Sequence, residues 1–113
     1  MVGRPSDVAL SGKRLALIVS TPPARGDFER AERLARAARA RGVEVTIFLM
    51  DEAVLWGAHV RAAALVNDDG CDMVLCGTNA AKWGVRAASG VVEGSQDDHA
   101  AIVHRADRVV AFT

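Results

Sequence analysis

Short aliphatic runs alternate with segments of helical period along most of this chain, and that alternation constrains the fold more than any other feature. Residues 13–20 hold Leu15, Ala16, Leu17, Ile18 and Val19, a continuous block that suits a strand covered on both faces. It stops at Thr21, Pro22 and Pro23. Over 27–41 the period changes: Phe28, Ala31, Leu34, Ala35 and Ala38 recur at helical spacing, and Arg30, Arg33, Arg36 and Arg39 fill much of the remaining circumference. Asp27 and Glu29 at the start and Arg39 and Arg41 at the end suit the helix dipole, and Gly42 supplies a left-handed stop.

The pattern then repeats. A second strand is expected over 43–50, followed by Asp51 and Glu52, short helical pieces over 53–56 and 60–67 separated by Gly57, and a turn at Asp68-Asp69-Gly70. A third strand runs over 71–76, and a short helix begins near Thr78 or Asn79, both capping types, and ends at Gly84. A fourth strand is placed at 87–92, a helix starts from Gly94 and Ser95, and a fifth strand covers 107–112. Strands alternating with helices across short turns require parallel βαβ units. The expected fold is a single three-layer α/β sandwich, flavodoxin-like in outline, with a mainly parallel sheet of about five strands flanked by helices. Residues 1–12 read as a flexible leader and 13–113 as one domain.

Composition narrows the function. Fourteen Lys and Arg balance fourteen Asp and Glu, so no overall field draws the chain to nucleic acid or anionic lipid. Aromatic residues make up 4%, too few for a base-stacking surface. No apolar run approaches the roughly eighteen residues of a membrane span, and residues 1–12 hold no hydrophobic block of secretory-signal length. A cytoplasmic protein is expected, without nucleic-acid partners. Cys71 and Cys76 stand roughly 16 Å apart along one extended strand, too far for a disulfide, so both are expected as free thiols.

In an open parallel sheet, ligands meet the loops that leave the carboxyl ends of the strands. Among these loops only Cys76-Gly77-Thr78-Asn79 carries a strong nucleophile. Cys76 precedes a helix start, where unpaired amides and the dipole favour a thiolate, and Gly77 removes a side chain beside the sulfur. Gly77, Thr78 and Asn79 are the candidate substrate contacts. The competing reading makes Cys76 a small core residue at a strand end; Cys71, at the opposite strand end, is read as structural. His99 and His104 are five apart, not the helical metal-pair spacing, and are read as solvated; no metal and no cofactor are expected. Asp51 and Glu52 are read as capping or solvated in preference to catalytic. The arginine row, with Glu29 and Glu32 nearby, is read as a solvated face before an acidic-partner surface. Trp56 and Trp83 are expected to pack in the core, line a pocket or meet a neighbouring subunit.

A strand, an arginine-rich helix and a second strand lead into Asp72-Met73-Val74-Leu75-Cys76-Gly77-Thr78-Asn79-Ala80-Ala81-Lys82-Trp83-Gly84-Val85. Gly94-Ser95 and the ending Ala106-Asp107-Arg108-Val109-Val110-Ala111-Phe112 follow. This order resembles the DsrE/DsrF-like (DsrE/TusD) family of small sulfur-relay proteins over 13–113, with Cys76, Gly84 and Val85 matching in place. The resemblance implies a DsrEFH-like sandwich that assembles as homo-trimers or hexamers, alone or with related subunits. It also implies that Cys76 accepts a sulfane sulfur as a persulfide and passes it to a partner such as a TusA-like carrier. Two positions depart. Trp83 stands where many relatives have arginine, and Asn79 where some have a second cysteine, so the resemblance carries no resolving cysteine in this loop. The alternative from another class is an oligomeric small-ligand-binding or regulatory module using the same cleft. A flavodoxin-like electron carrier has less support, because Pro22 and Pro23 remove two amide donors from the first loop.

Overall fold

The computed structural model describes residues 9–113. Residues 1–8 of the expected leader lie outside the described residues; at its last residue, the Gly12 N–H donates to the Gly42 carbonyl at 3.0 Å. Five strands form one sheet: β1 (Arg14–Val19), β2 (Glu44–Leu49), β3 (Asp72–Cys76), β4 (Val92–Gly94) and β5 (Arg108–Phe112). Their order across the sheet is β4-β3-β2-β1-β5, and every neighbouring pair is parallel. The helices are α1 (Asp27–Ala40), α2 (Val60–Asn67), α3 (Gly77–Trp83) and α4 (Gln96–Arg105), with 3-10 segments at Pro23–Arg25 and Asp51–Ala58. The α/β sandwich with a five-stranded parallel sheet is therefore observed.

Connectivity distributes the helices. Each step from β1 to β2, β3 and β4 moves one strand in the same direction, so right-handed crossovers place α1, α2 and α3 on one face. The step from β4 to β5 returns across the sheet, and the same handedness places α4 on the other face. Ring contacts agree: Phe28 of α1 stacks on Trp56 of the second 3-10 segment with centroids 4.4 Å apart, whereas Phe48 of β2 stacks on His99 of α4 at 4.9 Å.

The core lies in the three central strands, where Leu17, Val19, Ile47, Phe48, Leu49 and Leu75 have no exposed surface. Burying each such side chain contributes about 2 kcal/mol, so β1, β2 and β3 carry most of the core, and Val110 and Phe112 of β5 pack against it partly buried. Gly57 sits where the helical layer meets this core. A Cβ there would stand 2.5 Å from Leu75 Cδ2, so glycine permits the close approach, and the 3-10 segment Asp51–Ala58 runs through it unbroken. The expected break at Gly57 is not found.

Two other boundaries differ. The fourth strand, expected at 87–92, is only Val92–Gly94. Gly90 has φ 85°, a left-handed geometry incompatible with a strand, and Ala88 is tied away by donating its N–H to the Gly57 carbonyl at 2.7 Å. Pairing with β3 begins only at Val92, opposite Val74. The helix expected to be capped by Thr78 or Asn79 begins at Gly77, with Cys76 at the N-cap position. The Asn79 side chain serves another backbone group instead, as described below.

The arginine row is also used internally. Arg36 Nε bonds Asp69 at 3.1 Å, Arg39 donates to the Asp69 and Val43 carbonyls at 3.0 Å each, and Arg30 bonds Asp27 at 2.9 Å. Glu32 is 3% exposed, held by Arg61 and, at 3.4 Å, by Arg36. Arg30, Arg33 and Arg36 are exposed, as the solvated reading of the row expects, but that reading is corrected for Glu32: apolar spacing hides a buried acid whose partner, Arg61, lies on α2.

Candidate functional site

Helices leaving β3 and β4 go to opposite faces of the sheet. Two neighbouring strands whose connections diverge leave a crevice at their carboxyl ends, the position where open parallel sheets bind ligands. Cys76 ends β3 and pairs in register with Gly94, which ends β4. The nucleophile selected in the sequence therefore stands at the topological switch point.

Alternation along β3 separates the two thiols. Cys71, Met73 and Leu75 point to the face of α1 to α3, and Asp72, Val74 and Cys76 to the face of α4. Both cysteines are free, with Cys71 2% and Cys76 4% exposed. Burial pushes the Cys71 thiol up to about 11, with Asp69 adding to the rise and Arg39 opposing it. Cys71 is thus held as a neutral thiol.

The polar neighbour of the Cys76 sulfur comes from the other strand exit. Gln96 Nε2 donates to Cys76 Sγ at 3.8 Å. Gln96 Oε1 lies 3.1 Å from His99 Nδ1, one turn along α4. His99 rests its ring on the buried Phe48. Ser95 starts this helix through a reciprocal capping box: its N–H donates to Asp98 at 2.8 Å, and its Oγ accepts from the Asp97 N–H at 3.2 Å. The reading of His99 as a solvated helix residue is corrected, since its ring contacts lie across the sheet and carry no trace in helical spacing. Gln96 was within reach of sequence reasoning, because the carboxyl-end rule selects its loop; what was lacking was the adjacency of β3 and β4.

Of the expected contacts, Gly77 fits the crevice: a Cβ there would stand 3.3 Å from the Gly94 carbonyl oxygen. Thr78 is exposed on α3. Asn79 turns to its neighbour, its Oδ1 accepting the Asp51 N–H at 2.9 Å. Asp51 itself has φ 51°, the only positive value among described non-glycine residues.

At the carboxyl end of β1 the groups satisfy one another. Thr21 Oγ1 donates to Asp27 at 2.7 Å, and that bond, aided by Arg30 against the opposing effect of burial, holds the Asp27 carboxyl below its usual value. The tryptophans divide. Trp56 packs between Phe28 and the Arg61 guanidinium, 5.5 Å from its centroid, whereas Trp83 is 42% exposed with only Lys82 over its ring. A cavity of about 520 Å³ lies elsewhere, lined by Leu10, Lys13, Leu34, Ala38 and Asp107 near the amino ends of the strands. Neither it nor two smaller ones is lined by Cys76. Among the described residues, no helix is long and apolar enough to cross a membrane.

Known proteins share this architecture. The model of the DsrE/DsrF-like family matches residues 13–112. The crystal structure of the ychN protein from E. coli is similar with a TM-score of 0.76 at 22% identity, over 88% of this chain and 98% of that one. A conserved protein of unknown function from Bacteroides thetaiotaomicron, BT1422, is similar with a TM-score of 0.69 at 15% identity, over 88% and 95%. At these identities the likeness concerns the fold. No curated protein matches the sequence.

Proposed function

Because the chain belongs to the DsrE/DsrF-like family, whose general role is sulfur relay, we propose that it is a sulfur carrier, a sulfurtransferase component working through Cys76. The observation that carries this reading is the position of Cys76 at the switch point, with a hydrogen-bond donor from the neighbouring strand exit on its sulfur.

The Cys76 thiolate attacks the sulfane sulfur of a donor persulfide. A bond forms from Sγ to that sulfur as the donor's own S–S bond breaks, and the electron pair leaves on the donor thiolate. An acceptor thiolate then attacks the terminal sulfur, and Cys76 departs as the thiolate. Neither exchange requires an external oxidant or reductant. Cys76 is 4% exposed, so admitting a donor requires movement of the chain around the strand ends. Gly77, Thr78 and Asn79 remain the proposed nearby contacts, with Asn79 contributing through the Asp51 segment it holds.

Donor and acceptor are proposed to be protein thiols in a cytoplasmic sulfur-relay or sulfur-oxidation pathway, the acceptor a TusA-like carrier. Assembly into homo-trimers or hexamers, alone or with related subunits, is supported by the face that α4 covers alone, where Val92 is 57%, Val109 43% and Val103 38% exposed.

The test is to incubate the purified protein with a persulfide donor and weigh it intact, alongside Cys76→Ser and Cys71→Ser. One sulfur atom should add to the wild type and to Cys71→Ser but not to Cys76→Ser. Addition that survives loss of Cys76, or none with competent donors, overturns the carrier reading in favour of a small-ligand-binding module.

A further inference from the structure

We infer that Gln96 is a positioning residue for sulfur transfer, donating its amide N–H to Cys76 Sγ, and that His99 holds that amide in the donating orientation. The inference rests on the carrier reading above and assigns a role that the Cys76 loop itself does not supply.

With Cys76 as a thiolate, one arrangement satisfies every group. A Gln side chain presents a donor nitrogen and an acceptor oxygen, and a flip exchanges them. With Nε2 3.8 Å from Sγ, Oε1 faces His99 Nδ1 at 3.1 Å. The oxygen accepts, so Nδ1 carries the proton. The flipped amide would set its oxygen against the thiolate, a repulsive contact that neither tautomer of His99 relieves. Stacking on Phe48, which has no exposed surface, fixes the imidazole plane. The orientation of an exposed amide is thereby set from the core.

Both half-reactions use this bond. When sulfur is accepted, Sγ is the attacking thiolate, and the N–H favours its charged form. When sulfur is passed on, Sγ is the leaving group, and a better-stabilised thiolate leaves faster. Negative charge sits on Sγ at the beginning of the first step and at the end of the second, so one donor serves transfer in either direction.

The experiment uses Cys71→Ala as background, leaving Cys76 as the sole thiol. Gln96→Met keeps the length and loses the N–H, Gln96→Glu replaces the donor by a carboxylate, and His99→Phe keeps a ring on Phe48 and loses Nδ1. Ultraviolet thiolate absorbance at neutral pH, the alkylation rate by iodoacetamide, and the rate of sulfur loss to a small acceptor thiol are measured on each. Gln96→Met should lower thiolate content and slow sulfur loss by about threefold to tenfold, the range for an ordinary net hydrogen bond, as suits a long contact to sulfur. Gln96→Glu should lower both further. His99→Phe should give part of the Gln96→Met effect and none in its presence. Wild-type thiolate content and sulfur-loss rate in Gln96→Met overturn the inference, as does a full His99→Phe effect in the absence of Gln96. Thiolate content is read without any sulfur donor. Normal uptake with unchanged thiolate content therefore rejects the role of Gln96 alone, whereas the expected thiolate changes without uptake reject the carrier reading alone.

Discussion

Asn79 Oδ1 accepts the backbone N–H of Asp51 at 2.9 Å, where the chain leaves β2 with φ 51°. This bond joins the first residue of a 3-10 segment to the helix behind Cys76, at a residue whose left-handed backbone disfavours any Cβ. Asn79→Ala should therefore cost about 1 kcal/mol in urea unfolding. Asp51→Ala, which loses the local polar compensation that lets Asp adopt this region, should be less stable than Asp51→Gly. An Asp51→Ala protein as stable as Asp51→Gly would count against strain at this position.

Cys71 makes the fold sensitive to alkali. Its thiol is pushed up to about 11 in the folded protein, from an ordinary value of 9.0, chiefly by burial. Between those values the unfolded chain gives up the proton and the folded protein keeps it. The unfolded state then binds fewer protons, so stability falls as pH rises through this window, by up to about 2–3 kcal/mol once the folded thiol also ionises. Urea unfolding across the window should show this slope in the wild type and a shallower one in Cys71→Ala; equal slopes would remove Cys71 as the cause.

The exit from β4 tolerates little change. A Cβ on Gly94 would stand 2.6 Å from both Val74 Cγ1 and Asp98 Oδ2, the second of which belongs to the capping box. Gly94→Ala should destabilise by about 1–3 kcal/mol, and Ser95→Ala by about 1 kcal/mol through loss of the cap. Because Gln96 is the first residue of that helix, Ser95→Ala should also slow alkylation of Cys76. Unchanged melting temperature in Gly94→Ala would show that the crevice has room the geometry denies.

Glu32 lies between two arginines, on the buried side of a helix that reads as charged. Its hydrogen bond holds the Arg61 guanidinium above its ordinary pKa, and Arg61 in turn covers Trp56. Glu32→Ala should lower the melting temperature more than Arg36→Ala, because Arg36→Ala leaves Glu32 bonded to Arg61, whereas Glu32→Ala removes the acid from both arginines. The reverse ranking would assign the anchoring to Asp69.

Element type was legible wherever burial imposes a period. The block at β1 and the stripe on α1 follow directly from which side chains must leave water, and Cys76 follows from the rule that parallel sheets bind ligands at carboxyl ends. Val92–Gly94 was misplaced because a three-residue edge strand has too few side chains to express a period, and the alanines before it carry little preference. Asn79 was read as a cap because its type suits one, yet the available N–H belonged to Asp51, 28 positions away.

The sequence by itself determined the order of strands and helices, the parallel sheet and the sulfur atom at its edge, since these depend on local periodicity and on the length of connections. Tertiary structure alone decided what surrounds that sulfur. Pairing β4 with β3 while α4 crosses to the opposite face brings Gln96 over Cys76 and seats His99 on Phe48. Strand order and crossover face arise from packing between distant segments, and no local pattern of side chains encodes them.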